Sequence, residues 1–206
     1  MIELKDLAKK FSEITLFQNV NLRIEKGDLL YIKGVNGCGK STLLYIIAGL
    51  ADPTSGEVIN NGCKNIGALI ENPAFIEKES AEFNLKFLYN LKNKYDRDQV
   101  KRLMEYFDLD IEAKTPVKKY SIGMKQKLGI IQAIMEDQDL ILLDEPSRGL
   151  DKSSSRKFIE LIDKLHKKGK TIVICAHDGV DDIPFTKIWE FDEGTIKEIY
   201  NIRNMK

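Results

Sequence analysis

The sequence has no surplus of charge of either sign. Its 206 residues carry 32 Lys and Arg against 32 Asp and Glu, a formal net charge of zero. That balance argues against a dedicated nucleic-acid or anionic-membrane surface, although charge can still gather locally. Long apolar runs are also missing. The longest, around Leu43 to Ala51, is about half of the ~18 residues that a spanning helix needs. The opening stretch MIELKDLAKK mixes charges of both signs and holds no apolar core, so no secretory signal is expected. Cysteine is scarce: Cys38, Cys63 and Cys175 are isolated thiols without C-x-x-C spacing. An odd count of that kind points to a reducing cytosol and away from a zinc cluster or a disulfide framework. There are two histidines. His166 lies in the Lys-rich segment KLHKKGK and reads as a solvated helix-end residue. No internal repeat, low-complexity tract or linker interrupts the chain.

What remains is ordinary for a water-soluble globular protein, with 43% hydrophobic and 31% charged residues. The length suits one α/β domain with a full core. Ile2 to Leu7 and Asn19 to Glu25 alternate apolar and polar residues, as strands with one solvated face do. Glu57 to Asn60 and Ile66 to Ile70 read as short strands joined through Asn61-Gly62. From Ser80 the character changes. Ser80 to Lys94, Arg97 to Leu109 and Ile122 to Met135 carry apolar residues at helical spacing, which predicts a helical subdomain over about 72–137. Leu140 to Leu143 and Thr171 to Ala176 are continuously apolar, as strands buried on two faces are, with a charged helix over Lys152 to Lys168 between them. Thr186 to Tyr200 reads as a final hairpin around Asp192-Glu193-Gly194.

The stretch with the sharpest chemistry is Gly34-Val35-Asn36-Gly37-Cys38-Gly39-Lys40-Ser41, followed by Thr42. It fits the phosphate-loop pattern G-x-x-x-x-G-K-[ST] at every fixed position. The flanks agree: Asp28 to Lys33 reads as a strand and Ser41 to Leu50 as a helix. Glycines let the chain curl so that successive N–H groups point at one anion, and the helix adds its positive end. Lys40 is placed to reach the terminal phosphates and the Ser41 hydroxyl to hold Mg²⁺. Asn36, Gly37, Cys38, Gly39 and Thr42 complete the expected nucleotide-binding set. Cys38 reads as a small residue that fits the loop, although its modification would block that loop.

A second stretch, Leu140-Ile141-Leu142-Leu143-Asp144-Glu145-Pro146, delivers adjacent carboxylates to the end of a buried strand. Ligand sites in open parallel sheets lie outside such carboxyl ends. Asp144 suits Mg²⁺, which in nucleotide sites keeps several waters and few protein ligands. Glu145 suits a base or orienter for an attacking water.

In this order the motifs resemble the ATP-binding cassette ATPases, the nucleotide-binding subunits of ABC transporters, over essentially the whole chain. Tyr120-Ser121-Ile122-Gly123-Met124 resembles the family signature L-S-G-G-Q, keeping its Ser and second Gly and departing at Tyr120, Ile122 and Met124. The resemblance assigns Ser121 and Gly123 to the γ-phosphate of an ATP held by a second subunit. Glu71 stands where the family usually has a Gln that senses Mg²⁺ and the attacking water, a variation shared with exporters resembling antibiotic self-resistance transporters. His177, after TIVICA, matches the switch histidine, and Ser147 to Asp151 resembles the D-loop. Phe11 matches the aromatic that stacks on adenine.

The resemblance implies a P-loop α/β core of mixed sheet, an antiparallel β region near the N-terminus and an inserted helical subdomain, as one domain over 1–206. It implies ATP and Mg²⁺ as cofactors, with Lys40, Glu145 and His177 catalytic and Ser41, Glu71 and Asp144 on the metal. It implies a homodimer or heterodimer of ATPase subunits and a membrane-spanning permease as partner, no nucleic acid, and a cytoplasmic place at the inner face of the cell membrane. Glu71 to Phe83, with Phe75, Ile76 and Phe83 among charges, is the expected permease contact. The alternatives are a soluble ABC ATPase of the iron–sulfur assembly type, and a regulatory module that binds ATP without hydrolysing it.

Overall fold

The computed structural model describes residues 1–177 and 179–205, and its strands form two sheets. The first is antiparallel and built from β1 (Ile2–Phe11), β2 (Ile14–Ile24) and β4 (Ser55–Asn60), in the order β2-β1-β4. The second contains β3 (Leu29–Lys33), β5 (Ile66–Leu69), β6 (Leu140–Asp144), β7 (Thr171–Cys175), β8 (Lys187–Asp192) and β9 (Thr195–Asn201), in the order β5-β6-β7-β3-β8-β9. All its neighbours pair in parallel except β8 and β9, which form the terminal hairpin. The helices are α1 (Lys40–Ile47), α2 (Ala81–Tyr89), α3 (Arg97–Tyr106), α4 (Ile122–Ile134) and α5 (Lys152–Lys167).

Alternation along the buried strands fills two cores. Leu29, Leu69, Ile141, Leu143, Ile172 and Ile174 face the side packed by α2, α3, α4 and α5. Leu30, Ile32, Leu140, Leu142, Val173 and Cys175 face α1 and the antiparallel sheet. This is why β6 and β7 read as unbroken apolar runs: each residue has a hydrophobic partner layer whichever way it points.

The expected elements are all present, with shifted ends. β1 runs on to Phe11 through irregular pairing, although KDLAKKF carries many charges. Asp6 and Asn21 hold that irregularity, with the Asp6 N–H donating to Asn21 Oδ1 (3.0 Å) and Asn21 Nδ2 donating to Asp6 Oδ1 (2.8 Å). The helix expected to reach Leu50 stops at Ile47, and Gly49 follows with φ 71°. α2 stops at Tyr89 because the next side chain, Asn90, accepts the Tyr95 N–H (3.0 Å) and competes with the helix. α3 stops at Tyr106, and Asp108 takes φ 57°. The neighbours β4 and β5, joined through Asn61-Gly62, enter different sheets.

α4 lies directly on the sheet. A Cβ added at Gly67 of β5 would stand 1.8 Å from the Ala133 carbonyl oxygen of α4, a backbone atom that no rotamer change can move aside. Glycine there sets the distance between helix and sheet. Gly67→Ala is expected to cost about 3 kcal/mol of folding stability, the upper range of overpacking, read as a lowered urea midpoint.

Candidate functional site

Three parallel strands end side by side at one edge of the large sheet. Ile32 of β3 pairs with Cys175 of β7, and Cys175 pairs with Asp144 of β6. The loop from Gly34, the Asp144-Glu145 pair and His177 therefore leave the sheet from one line. The loop and the acidic pair border a cavity of about 450 Å³ lined by Asn36, Gly37, Gly39, Lys40, Ser41 and Thr42 of the loop and by Glu71, Asp144 and Glu145 opposite.

The loop's conformation depends on its glycines. Gly37 has φ 80° and Gly39 φ 110°, a left-handed region that strains any residue with a Cβ. At Gly34 a Cβ would lie 2.8 Å from both Cys38 Sγ and Phe191 Cβ. Gly39 caps α1 without a side-chain hydrogen bond, so the helix N–H groups and dipole face the cavity. Lys40 is buried, and its ammonium donates to the carbonyls of Gly34 (2.7 Å) and Val35 (3.1 Å), folding along the loop.

The acidic side is held as firmly. Asp144 is buried at 4% exposure. Glu145 takes φ 46°, its N–H donates to the Cys175 carbonyl (2.7 Å), and its Oε2 accepts the His177 N–H (3.3 Å). Cys175 beneath is fully buried; burial, with Asp144 adding, pushes its thiol well above the ordinary range, so it stays protonated. Glu71 has φ 58°, and burial together with the Glu71 carboxylate raises the Tyr45 hydroxyl.

The residues fit a divalent cation with phosphates. Ser41, Glu71 and Asp144 offer only hard oxygen donors to the shared cavity, as Mg²⁺ requires. Among the described residues no group of three or more His, Cys, Asp and Glu could hold a metal by itself, so phosphate and water would have to supply the remaining ligands.

Other expected residues lie elsewhere. Phe11 is 55% exposed at the tip of the β1–β2 hairpin, with the Lys9 ammonium 4.9 Å from its ring centroid, and does not line the cavity; Leu16 does. Cys38 turns back toward Gly34 and packs beside the second core. His177 meets Glu145 through its backbone N–H, and its side chain is not part of the cavity lining. Ser121 is exposed and caps α4, accepting the Met124 N–H (3.1 Å). Gly123 packs on the Gly149 carbonyl, which a Cβ would approach to 2.4 Å. The sequence reading missed Asn72, Gln126 and Arg148 as lining residues. For Gln126 there was a signal: a polar residue on the apolar face that also carries Ile130 and Ala133.

The sequence pattern of the family described as "ABC transporter" matches residues 17–148. The lantibiotic transport ATP-binding protein SrtF of Streptococcus pyogenes is 34% identical over 184 residues, covering 86% of this chain and 80% of that protein. The bacitracin transport ATP-binding protein BcrA of Enterococcus faecalis is 34% identical over 188 residues, covering 86% of this chain. The chain spans only 61% of BcrA, and 61% of the uncharacterized ABC transporter ATP-binding protein YcbN of Bacillus subtilis, which is 35% identical over 188 residues and 86% of this chain. Among solved structures, the ATP-binding cassette MJ0796, described as a dimer in a post-hydrolysis state bound to ADP and Pi, matches with TM-score 0.88 and 27% identity over 97% of this chain and 98% of that one.

Removing the Lys40 ammonium should weaken ATP binding about 10- to 100-fold, the worth of one charged hydrogen bond. Calorimetric titration of Lys40→Ala checks this, with the unfolding midpoint expected to stay near that of the unaltered chain.

Proposed function

The chain belongs to the ABC transporter family of ATP-binding proteins, and we propose that it is the ATP-hydrolysing subunit of a transporter, working on a separate membrane-spanning permease at the cytoplasmic face of the membrane. The observation that carries this reading is the convergence of the glycine loop, Lys40, Asp144 and Glu145 on one cavity. The loop amides and Lys40 bind the phosphates. Asp144, Ser41 and Glu71 would hold Mg²⁺, which supplies charge neutralisation to the phosphoryl group being transferred. Glu145 accepts a proton from, or orients, the water that attacks the γ-phosphate, and its carboxylate is held in place by the His177 N–H (3.3 Å). Such transfer needs positioning and electrostatic stabilisation more than covalent chemistry. On the family resemblance we assign the His177 imidazole to the water site and the exposed Phe11 ring to adenine, although neither lines the cavity of this chain alone.

Ser121 and Gly123 do not line this chain's own cavity, which supports their service to a second subunit. The dimeric state described for MJ0796 supports the same arrangement: copies, or one copy and a related subunit, sandwich ATP between one loop and the other's α4. Relatives named for lantibiotic and bacitracin transport favour a transporter over a soluble assembly ATPase. Among the described residues no helix is long and apolar enough to cross a membrane.

The permease contact expected over Glu71 to Phe83 is narrowed here to its exposed residues and extended along α2. Phe75 is half-buried and packs on the main core, which favours its exposed neighbours as the docking surface. Ile76, Phe83, Phe87 and Leu91 are exposed, the last three at helical spacing along α2 and its continuation. An apolar stripe among charges is what a partner surface requires.

Glu145→Gln should keep ATP binding, lose turnover at least about 10²-fold, and give an ATP-dependent dimer on size-exclusion chromatography; normal turnover would remove Glu145 from its role. Replacing Phe83 and Phe87 together by Ala should reduce co-purification with a co-expressed permease partner while ATP turnover of the isolated chain is unchanged. Full co-purification would move the contact elsewhere.

A further inference from the structure

Gln126 projects from α4 into the nucleotide cavity at 5% exposure, although its helix belongs to the helical half of the chain. A buried amide needs partners, since an unsatisfied one costs about 1–3 kcal/mol. The Gln126 Nε2 donates to the Glu145 carbonyl oxygen over 3.0 Å. That carbonyl also accepts the Arg148 N–H (3.1 Å), so both its lone pairs are used.

Glu145 is a residue that needs holding. With φ 46° it sits in a left-handed conformation that costs a non-glycine residue on the order of 1 kcal/mol or more and persists only where the surroundings impose it. Its N–H is tied to β7 and its carboxylate to the His177 backbone, both within the sheet half. The bond from Gln126 reaches the same residue from the helical half. A second contact runs alongside it. Gly123 approaches the Gly149 carbonyl so closely that a Cβ would stand 2.4 Å from the oxygen, and Ile122 covers Gly149 from the same turn. The first two turns of α4 therefore meet both ends of the turn from Glu145 to Gly149.

We propose that Gln126 is a positioning residue that holds the peptide of Glu145 in its working conformation and links it to the N-terminus of α4. This rests on the reading of Glu145 as the residue that activates water and of Ser121 as part of a partner's ATP site. Ser121 and Gln126 lie on one rigid helix, about one and a half turns apart.

The test replaces the donor and keeps the volume. Gln126→Met in the purified chain, with ATP and Mg²⁺, should lower kcat about ten-fold with KM for ATP within about two-fold, the pattern of an interaction made in the transition state. Gln126→Leu, a second non-donor, should do the same if Gln126→Met does not fold. Added to Glu145→Gln, Gln126→Met should leave the ATP-dependent dimer intact, because Gln126 acts through Glu145 and not through ATP binding. Unchanged kcat in Gln126→Met beside an inactive Glu145→Gln overturns the proposal alone. A raised KM, or a dimer lost in the double variant, assigns Gln126 to packing or nucleotide binding and also overturns it. Normal turnover by Glu145→Gln overturns the underlying reading, and the proposal with it.

Discussion

Everything in this site depends on the parallel pairing of β3, β7 and β6. The register that sets Ile32 beside Cys175 and Cys175 beside Asp144 brings three strand ends to one line. A slip of one residue would turn every apolar side chain of a strand to the other face, and both faces here are packed by different layers. The register is thus fixed by the cores rather than by the site. Function is added just beyond the strand ends, where the backbone is released from the ladder: the glycine loop after β3, the acidic pair after β6, and His177 after β7.

The chemistry follows from what each release permits. After β3 the chain needs left-handed turns at Gly37 and Gly39 before α1 can start, and those turns aim N–H groups at one point. After β6 the chain turns left-handed at a glutamate, which is costlier, and the hydrogen bonds at its N–H, carboxylate and carbonyl show how that cost is met. Among the residues that line the cavity, the cations Lys40 and Arg148 face the carboxylates Glu71, Asp144 and Glu145. A divalent cation accompanying a triphosphate into that field would offset its repulsion by those carboxylates.

Much of this was legible in the sequence because local signals and tertiary demands agree. The glycine loop carries its own conformational rule, and β6 and β7 announce double-sided burial through their unbroken apolar runs. What was not legible involves distant partners. Asp28 reads as the first residue of an apolar strand, yet it is fully buried and paired at 3.0 Å with Lys187, itself buried at the start of β8. Burial raises the Asp28 carboxyl while Lys187 opposes the rise, a balance that no local pattern encodes. Phe75 and Phe83 look alike among their charged neighbours, and only packing separates the half-buried ring from the exposed one. Gln126 appeared as part of a helix following the signature; its hydrogen bond to Glu145 exists because the fold brings α4 against the turn after β6.

The proposed ATP site is shared, with the loop of one chain facing α4 of another. Complementation tests it most directly. Lys40→Ala disables the loop side, and Ser121→Phe disables the α4 side, so each variant alone should be inactive. If sites are shared, a mixed dimer of the two places both defects in one site and leaves the other intact. ATP turnover should then rise on mixing, well above either variant alone. If each chain completes its own site, the mixture will stay as inactive as its components, and the account will be wrong.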